Sequence, residues 1–231
     1  MPVPKAAPSP MIPETVEHET GPAPTHSIIW LHGLGADGND FAPIVPELVD
    51  PSWPPLRFVF PHASVRPVTI NNGMPMRAWY DIVSFDEADR QRAPGIEHSI
   101  AAVEALIARE NERGVPAHRI VLAGFSQGGA VVLSAALRYR ERLAGLVALS
   151  TYLPLRDTLT AESHPANAGL KVFWGHGTAD PVIPLPLGAA SRDILMAGGA
   201  DVEWHAYPMA HQVCAPEIAD LRAWLGKRLA N

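Results

Sequence analysis

The segment Gly124-Phe125-Ser126-Gln127-Gly128-Gly129 constrains the fold of this chain more than any other part of the sequence. The apolar residues 120–123 precede it and predict a buried strand, and the small apolar residues 130–137 follow it and predict a helix. Glycines on both sides of Ser126 let the strand turn sharply into the helix, which exposes the hydroxyl above the carboxyl end of the strand. The segment therefore predicts a nucleophilic serine. The alternative is an ordinary glycine-rich turn in which Ser126 only caps the helix.

The same region, residues 120–137, carries no charged residue and is long enough to cross a bilayer as a helix. Its centre holds Gly124, Ser126 and Gln127, which suit a turn better than a membrane span. The N-terminus also lacks the apolar core of a signal peptide. We therefore expect no integral membrane association.

Short runs rich in Val, Ile and Phe alternate with helical patterns from residue 27 onward. The predicted strands cover residues 27–31, 57–60, 119–124, 146–150, 171–174 and 202–207. The predicted helices cover residues 40–49, 95–113, 128–139, 187–197 and 216–229. Such alternation predicts an α/β fold with a mostly parallel central sheet that is buried on both faces. We divide the chain into a proline-rich N-terminal tail with an edge strand, residues 1–25, and one α/β domain, residues 26–231.

Charge and cysteine content narrow the possible partners. The chain has 18 Lys and Arg against 24 Asp and Glu, a net charge of −6, and no Lys/Arg run, so we expect no nucleic-acid partner. The single cysteine, Cys214, excludes an internal disulfide and a cysteine-based zinc site and favours a reducing, cytoplasmic location. No His, Asp and Glu cluster has metal-ligand spacing, so we expect neither metal nor cofactor. Monomer and homodimer both remain open.

Asp180 and His211 are the candidate partners of Ser126. Each lies just beyond a predicted strand, in the loop that follows it, and the order Ser, Asp, His along the chain is that of α/β-hydrolase triads. Asp180 alone could simply start a turn before Pro181. Alone, His211 reads as a surface histidine, and His176 is the closest alternative base, although it precedes Asp180.

A second glycine-rich segment, Gly33-Leu34-Gly35, follows the predicted strand 27–31. Its Leu34 N–H and the Gln127 N–H are the candidate donors of an oxyanion hole. With His211 as base and Asp180 orienting it, Ser126 would form an acyl-enzyme that water hydrolyses. An acyl group needs apolar walls. The candidate wall residues are Leu34, Met74, Met76, Trp79, Ile82, Leu153 and Val182. Trp79 is the first choice among them. The alternative, for about half of these residues, is that they belong to the hydrophobic core.

Five segments also occur in a familiar order: residues 32–38, 76–81, 124–129, 176–181 and 208–211. Through them, residues 26–229 resemble the carboxylesterase/acyl-protein thioesterase (phospholipase/carboxylesterase) family of α/β-hydrolases. The resemblance implies an α/β-hydrolase fold with helices on both faces of the sheet and little or no lid domain. It also implies the catalytic residues Ser126, Asp180 and His211, with Leu34 and Gln127 forming the oxyanion hole.

The resemblance further implies hydrolysis of carboxylic esters with short to medium acyl chains, so we predict a carboxylesterase acting on a small-molecule or lipid acyl ester. Acyl-protein thioesterase or lysophospholipase activity is the first alternative. A non-catalytic α/β-hydrolase binding module is an alternative of another class. A peptidase would share the triad, but the chain has no room for the usual gating domain.

Overall fold

The computed structural model describes residues 12–230. In that range the strands are β1 (Thr15–Glu19), β2 (His26–Leu31), β3 (Leu56–Pro61), β4 (Val65–Val68), β5 (Met74–Arg77), β6 (Ile120–Phe125), β7 (Gly145–Leu149), β8 (Lys171–Gly177) and β9 (Asp201–Tyr207). The α-helices are α1 (Val45–Leu48), α2 (Glu87–Arg92), α3 (Ile96–Glu112), α4 (Gln127–Arg138), α5 (Arg156–Glu162), α6 (Leu185–Ala197) and α7 (Ala215–Leu229).

Seven of these strands form the central sheet, in the order β1-β3-β2-β6-β7-β8-β9. β1 pairs antiparallel with β3 at one edge, and every other neighbouring pair in this sheet is parallel. The predicted α/β fold with a mostly parallel sheet is therefore confirmed. Parallel pairing brings the carboxyl ends of β2, β3, β6, β7, β8 and β9 to the same edge, where ligands bind in open α/β sheets.

Two hydrophobic cores lie on opposite faces of the sheet, because successive side chains of a strand point to opposite sides. In β2, Ile29 and Leu31 pack with residues of α3 and α4, whereas Ile28 and Trp30 pack with residues of α1 and α7. All four side chains are almost fully buried. Helices thus cover both faces, as the sequence predicts.

Residues 120–137 form β6 and most of α4 joined by a turn, and do not form one long helix. Among the residues that the structure describes, no helix combines the length and the apolar character needed to span a bilayer.

The segments between the predicted elements are more regular than their sequence suggests. β4 and β5 form a two-stranded antiparallel hairpin apart from the main sheet, and α2 follows it. The sequence of α2, EADRQR, has no apolar stripe, and three of the four residues of β4 are at least partly exposed. Neither element carries the periodic pattern from which buried elements are recognised. No inserted lid domain is present within residues 12–230.

β1 lies where the sequence predicts an edge strand, and its pairing with β3 joins it to the main sheet. Residues 1–11 of the predicted tail lie outside the described residues. The division of the chain after residue 25 stays a proposal.

Glu217, in the first turn of α7, is fully buried. Within residues 12–230 its carboxyl oxygens have no hydrogen bond of full geometry, although the nearby Cys214 backbone offsets part of the effect of burial on the Glu217 pKa. Its carboxyl group fills the space in which a side chain at Gly175 would lie. Burial raises the pKa of Glu217 from 4.5 to about 8, because the charged form is poorly solvated there. Between about pH 4.5 and pH 8, Glu217 therefore keeps its proton in the folded chain and loses it in the unfolded chain.

This proton makes stability depend on pH. Its contribution is complete below about pH 4.5, and it is lost as the pH rises towards about 8. Glutamine cannot ionise, so Glu217→Gln should remove this loss of stability at high pH. We expect the free energy of unfolding of the variant minus that of wild type to increase by about 3 kcal/mol between about pH 5 and pH 8. Urea denaturation over this range measures it. Glu47→Gln, an exposed glutamate in the first turn of α1, is the control. Parallel pH profiles for Glu217→Gln and wild type would contradict the account.

Candidate active site

Ser126 occupies the turn between β6 and α4 in a strained backbone conformation, with φ 54° and ψ −120°. Two contacts from β7 and the residues after it hold the turn. The Ser126 N–H donates to the Leu149 carbonyl at 2.9 Å, and the Thr151 hydroxyl donates to the Ser126 carbonyl at 2.7 Å. A non-glycine residue persists in such a conformation only where its surroundings enforce it, and such strain is often found at functional sites.

The two flanking glycines are required by close backbone approach. A Cβ atom at Gly124 would lie 2.5 Å from the backbone of Gly128, and one at Gly128 would lie 2.4 Å from the Leu31 carbonyl oxygen. Moving either neighbour would distort α4, which contains Gly128, or the sheet, which contains Leu31. The glycine pattern thus lets α4 approach the ends of β2 and β6, which sets the position of Ser126.

His211 and Asp180 meet Ser126 at the carboxyl edge of the sheet. His211 lies on the loop after β9, with Nε2 2.8 Å from Ser126 Oγ and Nδ1 2.7 Å from Asp180 Oδ2. Because the carboxylate only accepts, the Nδ1–H donates to Asp180 and Nε2 accepts from the Ser126 hydroxyl. The Phe125 ring packs against the imidazole, with centroids 4.8 Å apart. The structure thus brings together the three residues that the sequence singles out.

Asp180 is buried and held by the loop after β8. Its Oδ1 accepts the backbone N–H groups of Val182 and Ile183, both at 2.8 Å, which leaves Oδ2 for His211. These bonds fix the carboxylate so that it can orient the imidazole and stabilise its charged form.

His176, the alternative base, has another place. It is fully buried, its Nε2–H donates to the Ile183 carbonyl at 2.9 Å, and its Nδ1 lies 3.4 Å from the Trp174 Nε1 donor. Burial lowers the pKa of His176, which keeps it neutral. With both ring nitrogens engaged away from Ser126, His176 supports the loop that carries Asp180.

Leu34 and Gln127 both line the cavity at Ser126. Gln127 begins α4, and the loop of Leu34 approaches so closely that a Cβ atom at Gly33 would lie 3.5 Å from the Ser126 Cβ. Within residues 12–230, neither backbone N–H donates a hydrogen bond to another group. Two free donors beside a nucleophile are what an oxyanion hole requires.

The side chain of Gln127 has a function that sequence reasoning missed. It is buried, its Oε1 accepts the Trp79 N–H at 2.9 Å, and its Nε2 donates to the Tyr80 carbonyl at 2.9 Å. The amide therefore ties the start of α4 to the segment after β5. A buried amide with both ends matched to backbone groups could not be recognised without knowing which segment lies opposite.

A cavity of about 260 Å³ opens beside Ser126 and His211, and we call it the acyl cavity. Its large apolar and aromatic lining residues are Leu34, Tyr80, Ile82, Phe85, Phe125, Tyr152, Val182 and Ile183. The hydroxyl groups of Tyr80 and Tyr152 lie 2.9 Å apart and bond to each other, which satisfies two buried polar groups within an apolar wall. Such a lining suits a hydrocarbon chain.

Of the predicted wall residues, Leu34, Ile82 and Val182 line the acyl cavity. The other predicted wall residues, Trp79, Met76, Leu153 and Met74, do not line this cavity.

Those four residues have other packing. Trp79 is buried and its indole N–H donates to the His32 carbonyl at 2.9 Å, so it supports the loop of Leu34 from behind. Leu153 belongs to the core beneath the cavity. Met76 and Met74 lie on β5, where Met76 accepts from Asn71 and Met74 is exposed.

Arg90 of α2 also lines the acyl cavity, which no pattern in the sequence indicates. Its guanidinium donates to the carbonyls of Phe85 and Val182, each at 2.9 Å, and lies 5.0 and 5.3 Å from the ring centroids of Phe85 and Tyr152. Arg90 thus links two segments that form the cavity wall. No group of three or more His, Cys, Asp and Glu side chains within residues 12–230 is placed to hold a metal ion.

Comparison with known proteins agrees with this geometry. A family model described as phospholipase/carboxylesterase matches residues 13–229. The chain is 38% identical over 227 residues to acyl-protein thioesterase 1 of Mycosarcoma maydis, covering 92% of this chain and 95% of that protein. It is 36% identical over 224 residues to acyl-protein thioesterase 1 of Cryptococcus neoformans, covering 90% and 94%. Among solved structures, Zea mays acyl-protein thioesterase 2 superposes with a TM-score of 0.78 at 30% identity, covering 93% of this chain and 99% of that chain.

Proposed function

The chain belongs to the phospholipase/carboxylesterase family of α/β-hydrolases and is an esterase or thioesterase, and from that premise we propose that it cleaves the thioester bond of S-acylated proteins. The catalytic residues of this proposal are Ser126, Asp180 and His211, with the Leu34 and Gln127 N–H groups as the oxyanion hole. The observation that carries the hydrolase chemistry is the continuous hydrogen-bond relay from Asp180 through His211 to Ser126, at 2.7 and 2.8 Å, beside a largely apolar cavity. The choice of a protein thioester as the substrate is supported by the relatives.

The reaction follows from these positions. His211 Nε2 takes the Ser126 proton as Oγ bonds to the acyl carbon, and the oxygen that becomes negative receives the two N–H bonds. The carbon–sulfur bond then breaks, and the leaving thiolate takes the proton from His211. In the second half, His211 takes a proton from water, whose oxygen bonds to the carbonyl carbon of the acyl-enzyme. The bond between that carbon and Ser126 Oγ then breaks, and His211 returns the proton to Oγ. The products are a carboxylic acid and free Ser126.

The relatives favour the thioesterase alternative over the small-ester carboxylesterase that the sequence predicts, since both curated relatives described above carry the name acyl-protein thioesterase 1. An ester and a thioester would use the same residues. The test compares an S-acylated cysteine peptide with the matching O-acylated serine peptide. We expect a kcat/KM at least about tenfold higher for the thioester after each rate is divided by its uncatalysed rate. Equal or reversed corrected values would support the carboxylesterase function instead.

Arg90 gives a further prediction about acyl length. Arg90→Ala removes both bonds that hold the Phe85 and Val182 segments together, so the cavity wall loosens. We expect the ratio of kcat/KM for palmitoyl to that for octanoyl thioesters to rise by about tenfold, because the longer chain gains the released space. The ratio cancels any general effect on the Asp180 loop. Arg92→Ala in the same helix, with a 73% exposed side chain, is the control. An unchanged ratio for Arg90→Ala would exclude Arg90 as a determinant of acyl length.

Cytoplasmic location stays part of the proposal. It rests on the single cysteine, Cys214, which is free and half-buried.

A further inference from the structure

A cavity of about 480 Å³ lies at the opposite edge of the sheet from Ser126, beside the amino ends of β6, β7 and β8. We call it the basic cavity. Six of its eight lining residues carry basic side chains: His118, Arg119, Arg142, Lys171, Lys227 and Arg228. Since β6 has six residues at about 3.3 Å each, the two sites are separated by about 20 Å.

The basic side chains come from four separate parts of the chain. His118 and Arg119 precede β6, and Arg142 precedes β7. Lys171 is the first residue of β8, and Lys227 and Arg228 lie in the last turn of α7. Their backbones are therefore held by the central sheet and by a helix packed on it, which gives the cavity a fixed shape.

Most arginines elsewhere in this acidic chain have carboxylate partners, as Arg57 does with Glu110 and Glu19. Within residues 12–230, the two lysines are the only basic-cavity residues with such partners. Lys171 pairs with Asp201 at 2.5 Å, and Lys227 lies 3.7 Å from Glu203, and neither carboxylate lines the cavity.

The three arginines of the cavity are not matched in this way. Within residues 12–230, Arg119 and Arg142 have no carboxylate at ion-pair distance, and the Nε–H of Arg228 is buried without a hydrogen-bond partner. A buried donor without an acceptor and several like charges together are both unfavourable. A ligand with negative acceptor oxygens would relieve both.

The chemistry and the size of the basic cavity indicate the ligand. Guanidinium groups bind phosphate oxygens in pairs, and ammonium groups act on them as point charges. A volume of about 480 Å³ lies in the range of small-molecule sites. We propose that the basic cavity binds a small molecule or headgroup that carries two or more phosphate groups. The proposal is independent of the hydrolase reaction, which occurs at the other edge of the sheet.

Isothermal titration calorimetry of the full chain with inorganic tripolyphosphate tests this. We expect one saturable site per chain, with the Kd raised at least about tenfold in Arg119→Ala/Arg142→Ala at equal ionic strength. Arg92→Ala/Arg140→Ala removes two exposed arginines outside the cavity and should leave the Kd within about twofold. Absence of saturable binding, or equal weakening in both double variants, would overturn the proposal.

Thermal unfolding checks that the variants remain folded. Because Arg119 and Arg142 have no ion-pair partner within residues 12–230, their replacement should not lower the Tm, whereas tripolyphosphate should raise the wild-type Tm and not that of Arg119→Ala/Arg142→Ala. A lower Tm without ligand would show that these arginines are structural and would count against the proposal.

Two further binding experiments identify the source of the phosphate groups, and either outcome leaves the basic cavity as the binding site. Inositol trisphosphate in solution represents a soluble ligand. Phosphatidylcholine vesicles containing phosphatidylinositol bisphosphate represent a lipid headgroup. Binding of the free compound without co-sedimentation of the vesicles assigns a soluble ligand, and vesicle binding that the free compound displaces assigns a lipid.

Discussion

Ser126→Ala is expected to lower kcat for thioester hydrolysis by about 10⁴–10⁶-fold, to a rate close to that left by binding and the oxyanion hole alone. The reason is that Ser126 Oγ, 2.8 Å from His211 Nε2, is the only atom of the relay that can bond to the acyl carbon. Steady-state hydrolysis of an S-acylated peptide measures the loss. KM should change little, since the acyl cavity is intact.

Ser134→Ala is the matched control. Ser134 lies in α4, the helix that follows Ser126, and is buried as Ser126 is. Within residues 12–230 its hydroxyl has no hydrogen-bond partner, so the substitution removes the same group from a similarly buried position. We expect its kcat to stay within about twofold of wild type. A Ser126→Ala variant with near-wild-type kcat would rule out the covalent mechanism.

Asp180→Asn should lower kcat by up to about 10⁴-fold at neutral pH while leaving the fold intact. The structure explains why the effect is so large. The Oδ1 position accepts two backbone N–H groups, so an asparagine must place its carbonyl oxygen there. Its NH₂ group then faces His211 Nδ1 and donates to it. This forces the imidazole proton onto Nε2, where it blocks transfer from Ser126.

Asp50→Asn controls for the loss of an aspartate that caps a turn. Asp50 accepts the Ser52 N–H at 2.9 Å, much as Asp180 accepts that of Val182, but it pairs with Arg222 and does not line the cavity beside His211. We expect unchanged kcat for Asp50→Asn. If Asp180→Asn lost less than about tenfold, another carboxylate would have to orient His211.

The parts of the site that were predictable depend on local sequence. The glycines around Ser126 and the strands before Asp180 and His211 place each side chain at the carboxyl edge of the sheet, and parallel pairing then brings the three together. Their order along the chain reflects the order of the strands. Short-range patterns were therefore sufficient for the relay.

The walls of the acyl cavity depended instead on contacts between distant segments. Trp79 lies near the relay, since its backbone N–H donates to the Gln127 side chain. Its indole N–H nevertheless donates to the His32 carbonyl, so the ring supports the loop of Leu34 and does not line the cavity. Arg90 belongs to a short polar helix whose sequence resembles a solvated surface, and only the folded chain shows its bonds to Phe85 and Val182.

The basic cavity likewise depends on contacts between distant segments, in this case segments that carry positive charge. The sequence has no Lys/Arg run, and no pattern in it predicts a cluster of positive charge. Single cations such as Arg119, Arg142 and Lys171 nevertheless converge, because parallel strands bring their amino ends to one edge.

The most direct test of the central claim is labelling of the folded chain with a fluorophosphonate, which reacts with a serine only when a base activates it. Trypsin releases residues 120–138 as one peptide, which holds both Ser126 and Ser134, and fragmentation assigns the label between them. We predict one label per chain, on Ser126, and strongly reduced labelling in Asp180→Asn. An unlabelled folded protein would contradict the account and favour a non-catalytic binding module, and a label on any other serine would contradict it as well.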